Sequence, residues 1–233
     1  MAVSELTSPS DTTVATNLYR DVHKGIRAEL FSVTTEAGRI DPDSDAARVR
    51  LAAHVRSLVE LLEGHTRHED TMIQPALQAH LPDLAARIDA DHELVSARTT
   101  GLVSIADAVV EATSQSRSRA VHNLYLELAE FTGVYLSHQD VEERNVLPAL
   151  EKAIGPEAVQ NLHTAIVSSI PPDEMVRSLA IMLPAMNIDN RAEMLGGMQA
   201  GAPPQIFEGI WGLANSVLNP PDVTAVARRI GLR

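Results

Sequence analysis

Two stretches decide the fold: HTRHEDTMIQPAL at residues 65–77 and HQDVEERNVLPAL at residues 138–150. Both read His-x3-Glu-x5-Pro-Ala-Leu, so the match is one of kind and of spacing. Residues four apart on an α-helix lie one above the other on the same face. His65 with Glu69, and His138 with Glu142, can therefore each address a common point. The apolar steps leading in are of three and four residues. They run Leu51, Val55, Leu58, Leu62 before His65, and Leu124, Leu128, Phe131, Tyr135 before His138. That spacing puts both pairs on the inward stripe of a helix. An ionisable pair on an apolar face is costly unless it is neutralised or coordinated. Two satisfied buried ion pairs are the plainer reading; coordination of metal explains both pairs at once.

The duplication extends backwards. His23 lies 42 residues before His65, and His92 lies 46 before His138. Each half thus reads as a helix with one His, a loop, and a helix with His-x3-Glu. Stacked as an antiparallel four-helix bundle, the halves bring His23, His65, Glu69, His92, His138 and Glu142 to one centre. Four imidazoles and two carboxylates fit two metals, each with two His and both carboxylates free to bridge, as in other bundle cores. Imidazole suits iron, zinc, copper and nickel, and carboxylate suits harder ions. The ligand types admit zinc or manganese in place of iron.

Around these motifs the pattern is helical throughout. Asp11 or Thr12 is an expected N-cap, and Leu18, Val22, Ile26 and Leu30 make a stripe ended by Gly38 and the turn 41–43. Ser44 or Asp45 opens the second helix. A break is expected near residues 80–83 and another at 114–118. No window alternates as a half-buried strand does, so no sheet is expected. Beyond Gly155, Pro-Pro pairs at 171–172, 203–204 and 220–221 each precede a helical pattern, which suits the first turn of a helix. The expected fold is all-α: a flexible segment 1–10, a four-helix bundle over 11–153, and an extension of short helices over 154–233.

Composition bounds the function. The net charge of -12 would repel phosphate backbones and anionic lipid, so neither nucleic acid nor membrane is an expected partner. Cysteine is absent, which excludes disulfides, thiolate catalysis and cysteine-ligated clusters. Residues 1–11 lack a basic start and an apolar run, and no apolar stretch of spanning length occurs, so the cytoplasm is the expected location.

The sequence resembles the hemerythrin-like proteins with the HHE cation-binding domain, over roughly residues 15 to 150. The marks are His23-Lys24-Gly25-Ile26-Arg27, the two His-x3-Glu-x5-Pro segments and Asp91-His92-Glu93. The resemblance implies an up-and-down bundle around two iron ions (Fe2+/Fe3+) with an oxo or hydroxo bridge. It makes His23, His65, His92 and His138 terminal ligands and Glu69 and Glu142 bridges. Members bind dioxygen, respond to peroxide or nitric oxide, sense iron or redox state, or help repair iron–sulfur centres. Oxygen carriers have a further His four residues after the third-helix His; here that position is Ser96. The expectation is therefore a protein that binds, senses or reacts with dioxygen, hydrogen peroxide or nitric oxide rather than one that carries oxygen. Catalase-like or oxidase activity is one form of this. A di-iron oxidase of an organic substrate, and a metal-sensing module forming a homodimer through its C-terminal helices, are the alternatives.

Other residues invite weaker readings. Tyr135, three before His138, and Tyr19, four before His23, can face the centre, with Tyr135 donating to a bound oxygen species. His68, one turn from His65, can be a seventh ligand or a proton relay. Glu93, next to His92, points about 100° away and reads as a surface charge. The methionines after residue 174 read as adaptable core filler.

Overall fold

The computed structural model describes residues 17–232. Among them all regular structure is helical, and there is no strand. The expected caps Asp11 and Thr12 lie outside the described residues. The first described helix, α1 (Arg20–Ala37), starts later than the stripe from Leu18 suggests. Asn17 is the reason: its Oδ1 accepts the backbone N–H groups of Tyr19 and Arg20, at 3.1 and 2.7 Å. Donors with no partner in a first turn are satisfied there. Next, α2 (Asp45–Met72) opens on Ser44, whose Oγ accepts the Ala47 N–H as an N-cap does.

After α2 come α3 (Gln74–His80), α4 (Pro82–Glu111), α5 (Arg117–Val141), a π-helical turn (Glu142–Val146) and α6 (Leu147–Ile154). The breaks near residue 81 and before residue 117 fall where expected. Two interruptions were not expected. The helix carrying His65 and Glu69 stops at Ile73, and the helix carrying His138 and Glu142 passes into the π turn. Both follow from the shared proline. Pro75 and Pro148 have no N–H for the carbonyls of Thr71 and Arg144, so the regular ladder cannot continue. In the second repeat the Leu147 N–H reaches back to the Glu142 carbonyl instead. Such single π turns recur at functional sites.

Helix α1 packs on α2 and α5, and α4 packs on the same two, so the four close a ring. Two apolar clusters fill it. One contains Ile26, Leu62, Val95 and Tyr135; the other contains Tyr19, Ile73, Ile88 and Val146. These residues bracket the ligand candidates along the chain. His23 lies between Tyr19 and Ile26, His65 and Glu69 between Leu62 and Ile73. His92 lies between Ile88 and Val95, and His138 and Glu142 between Tyr135 and Val146. Helices α1 and α4 thus run from the second cluster to the first, and α2 and α5 run back. The polar layer sits between two dry ones.

Gly155, at φ 85°, ends α6 in a conformation that favours glycine. Five helices follow: α7 (Pro156–Ser169), α8 (Pro172–Ala185), α9 (Ile188–Gly201), α10 (Pro204–Val217) and α11 (Pro220–Arg229). Four of them open on proline, and α9 opens on Asn187, whose side chain accepts the Asn190 N–H. Val159 of α7 belongs to the second cluster of the ring. By contrast, α8 to α11 build a core of their own from Leu179, Leu183, Leu195, Ala214, Leu218 and Val226, edged by Met175, Met194, Met198 and Trp211. This unit docks through α8 along α1. Gly25 permits the approach: a Cβ there would lie 3.2 Å from Ile181 Cγ2 and 3.2 Å from Met182 Cα. No helix among the described residues is long and apolar enough to cross a membrane.

Candidate metal centre

The ring gathers all six ligand candidates. His23 (α1), His65 and Glu69 (α2) and Glu142 form one buried group; Glu69, His92 (α4), His138 (α5) and Glu142 form the other. Within each group the ligand atoms lie within 4.8 Å of one another. The two groups share both carboxylates and neither histidine pair. His23 Nε2 approaches His65 Nε2 at 3.2 Å, and the two rings meet edge to face with centroids 5.1 Å apart. The His92 and His138 rings repeat that arrangement at 5.0 Å. Within each repeat the i, i+4 pair closes as its spacing requires, at 3.1 Å for His65–Glu69 and 3.2 Å for His138–Glu142. Glu142 reaches His23 at 3.4 Å, and Glu69 reaches His92 at 3.5 Å, so each carboxylate crosses to the opposite half.

The electrostatics divide the two carboxylates. Burial, reinforced by the charge of Glu142, pushes the Glu69 carboxyl well above the usual range. Burial also disfavours ionised Glu142, but the close approach of His138 and His92 outweighs it and holds that carboxyl below its usual value. For His92, burial opposes the proton, yet the carboxylates of Glu142 and Glu69 close to the ring raise the imidazole to about 11. His65 moves the other way, lowered by burial and by the charge of His23. Two carboxylates in one dry layer resist joint ionisation; cations between them would remove that resistance.

A cation also answers the polar atoms left over. Both oxygens of Glu69, Glu142 Oε2, His92 Nε2 and His138 Nε2 are buried without a hydrogen-bond partner among the described residues. Each such atom costs about 1–3 kcal/mol when left unmet. They converge on one layer and are the donor types iron accepts, so the residues fit a two-metal group. The sequence profile of the hemerythrin HHE cation binding domain matches residues 14–150. This chain belongs to the hemerythrin HHE family. No curated protein and no solved structure matches it.

Two further carboxylates complete the hemerythrin-type layer. Glu143 accepts from His23 Nδ1 at 2.8 Å, and Asp70 accepts from His92 Nδ1 at 2.7 Å. A donor on Nδ1 turns the lone pair of Nε2 inward, which is the tautomer a ligand needs. Sequence reasoning missed both, although the signal was present. An acidic residue directly follows the Glu in each repeat, and each serves the histidine of the opposite half.

The remaining candidates separate. Tyr135 is fully buried, its ring centroid is 5.7 Å from that of His138, and its hydroxyl lacks a partner among the described residues. Tyr19 stacks on His23 at 5.0 Å. Burial, then the charges of Glu69 and Glu142, raise the Tyr135 phenol well above its usual value, so it stays protonated. His68 is in neither ligand group. Its Nε2 is 2.8 Å from Glu174 of α8 and its Nδ1 is 3.5 Å from Ser169, so its ring engages the C-terminal helices. Glu93 and Ser96 are both exposed, and the histidine position of the oxygen carriers therefore does not face the layer here.

Proposed function

We propose that this chain is a non-haem di-iron protein that binds, senses or reacts with dioxygen, hydrogen peroxide or nitric oxide, in an up-and-down four-helix bundle. The observation that carries the reading is the pair of buried four-residue groups sharing Glu69 and Glu142. Two histidines per position and two shared carboxylates are the donor count for a bridged pair. Iron held there would supply a ferrous–ferric couple. Zinc or manganese meets the same donors and is distinguished by analysis.

The chain's own residues supply the rest. Glu69 and Glu142 span the two positions, and His92 and His23 hold their Nε2 atoms inward through Asp70 and Glu143 respectively. The apolar clusters on either side exclude bulk water, which strengthens every charge interaction in the layer. Tyr135 offers the one phenol O–H beside His138 with no competing partner, suited to hydrogen-bond a small ligand. Exposed Ser96 removes one ligand relative to an oxygen carrier and favours reactivity or sensing over carriage. An organic-substrate oxidase draws no support from the C-terminal helices. Helix α8 meets α1 at Gly25, about 200° around the helix from His23, on its outer face.

Metal analysis with an ultraviolet–visible spectrum tests the reading. Protein from iron-replete cells should hold two irons per chain and absorb in the near ultraviolet as oxo-bridged ferric pairs do. Well-folded protein isolated without metal would overturn it. Stopped-flow mixing of the reduced protein with dioxygen, peroxide or nitric oxide then separates the three ligands. A long-lived, reversible oxygen adduct would argue for carriage instead.

A further inference from the structure

We propose that the two metal positions are unequal, and that Asp70 and Glu143 are positioning residues that set the order of uptake, His92/His138 first and His23/His65 second. The inference rests on the two-metal reading above. It comes from what surrounds the histidines, because the inner donors of the two positions are of the same kind.

On the His23 side, Glu143 accepts from His23 Nδ1 and also from Arg27 Nη1, each at 2.8 Å. Arg27 is one turn after His23 on α1 and cancels the charge of the carboxylate that orients it. Among the described residues, no carboxylate other than Glu69 lies in salt-bridge reach of His65. On the His92 side, Asp70 accepts from His92 Nδ1 at 2.7 Å, and neither an arginine nor a lysine pairs with it among the described residues. A second carboxylate, Asp91, lies 3.9 Å from His138 Nδ1, too far to bond it, and that nitrogen has no hydrogen-bond partner among the described residues; no arginine or lysine pairs with Asp91 there either. The His23/His65 position thus sees a compensated carboxylate, and the His92/His138 position sees one uncompensated carboxylate bonded to Nδ1 and a second nearby. An uncompensated carboxylate on Nδ1 makes the imidazole a stronger donor and attracts the cation through the ring. Asp70 is half exposed, and water screens part of its charge, but the direct bond to Nδ1 does not depend on that long-range field.

The test is titration of the metal-free, full-length protein with Co2+ in the absence of oxygen, against a competing chelator, read by the ligand-field absorption of the bound ion. Wild type should fill in two steps. Asp70→Asn should weaken the first step about 10–100-fold, and Glu143→Gln should weaken the second step by a similar factor and leave the first unchanged. Arg27→Gln, which leaves Glu143 uncompensated, should tighten the second step. Asp70→Glu, which keeps the carboxylate, should recover much of the first-step affinity, which a purely structural role would not require. Circular dichroism of the metal-free variants reports that each is folded. Two bound ions with Asp70→Asn and Glu143→Gln acting alike on both steps, or on neither, would overturn the inference and leave the metal reading standing. A folded wild type that takes up no Co2+ would overturn both.

Discussion

The ligand layer of the helical ring and the core of the C-terminal helices both bury polar side chains, and they treat them in opposite ways. In the C-terminal core Arg191 is buried, and its guanidinium donates to the Leu183 carbonyl at 2.6 Å, to the Pro184 carbonyl at 3.1 Å and to Asp222 at 2.6 Å. Each of the three guanidinium nitrogens has a partner, and the bonds tie α8, α9 and α11 together. In the ring, Glu69, Glu142, His92 and His138 are as deeply buried, yet several of their polar atoms have no hydrogen-bond partner among the described residues. Buried polar atoms are nearly always paired in native proteins. A satisfied group such as Arg191 organises a fold. A converging set of unsatisfied ones is kept for something the chain itself does not supply.

The sharpest way to break this contrast is to alter one shared carboxylate. Glu69→Gln should weaken metal uptake by at least about 100-fold, because both positions lose a donor. The metal-free variant should unfold at the same denaturant concentration as metal-free wild type or a higher one, since burial already disfavours the Glu69 charge. Metal analysis and equilibrium unfolding measure the two effects. A large loss of stability without metal would place Glu69 with Arg191 as a structural group.

The converse substitution probes the C-terminal core. Arg191→Met should cost about 2–3 kcal/mol of unfolding free energy, because Asp222 and two carbonyls lose their donor. Metal stoichiometry should be unchanged. Loss of metal in this variant would mean that the docking of α8 on α1 shapes the centre after all.

The smallest effect is a pH dependence. His54 of α2 bonds to Glu29 and Glu36 of α1, a satisfied cross-helix clamp within the ring. The bond to Glu29, with that to Glu36 and against partial burial, raises the imidazole to about 9. The folded value lies above the unfolded one, so the contribution is complete below about pH 6.5 and is lost as pH rises through about 9. Wild type should exceed His54→Ala by about 1 kcal/mol near pH 6, after allowing for solvent screening, and by almost nothing near pH 10. Denaturant unfolding of both proteins at the two pH values checks this. An advantage that persists at high pH would point to packing.

Much of this was legible in the chain. The three-and-four apolar spacing placed the ring helices, and Ser44 and Gly38 marked two of their ends. The duplicated motif named six residues that the structure brings into two groups. The interruptions at Ile73 and at the π turn were missed, although Pro75 and Pro148 cause them. A proline one turn beyond a ligand reads equally well as the start of a new helix. Tyr135 was placed at the layer from its spacing to His138. His68 could not be placed, because a residue three after His65 can turn inward or toward a neighbour. Glu174, 106 residues away, decides that its ring engages the C-terminal helices.

The sequence by itself determined the helical class, the duplicated His-x3-Glu pairs and the family. These depend on periodicity and on residues a fixed few positions apart, and an α-helix converts such distances into one face. Only the tertiary structure decided which carboxylate orients which histidine, that Arg27 compensates Glu143 while Asp70 stays uncompensated, and that α8 lies on the outer side of α1. Those are relations between residues more than 20 positions apart. They are set by how the two clusters pack around the polar layer; local spacing marks Asp70 and Glu143 as acidic neighbours of the repeat but does not encode which histidine each one serves.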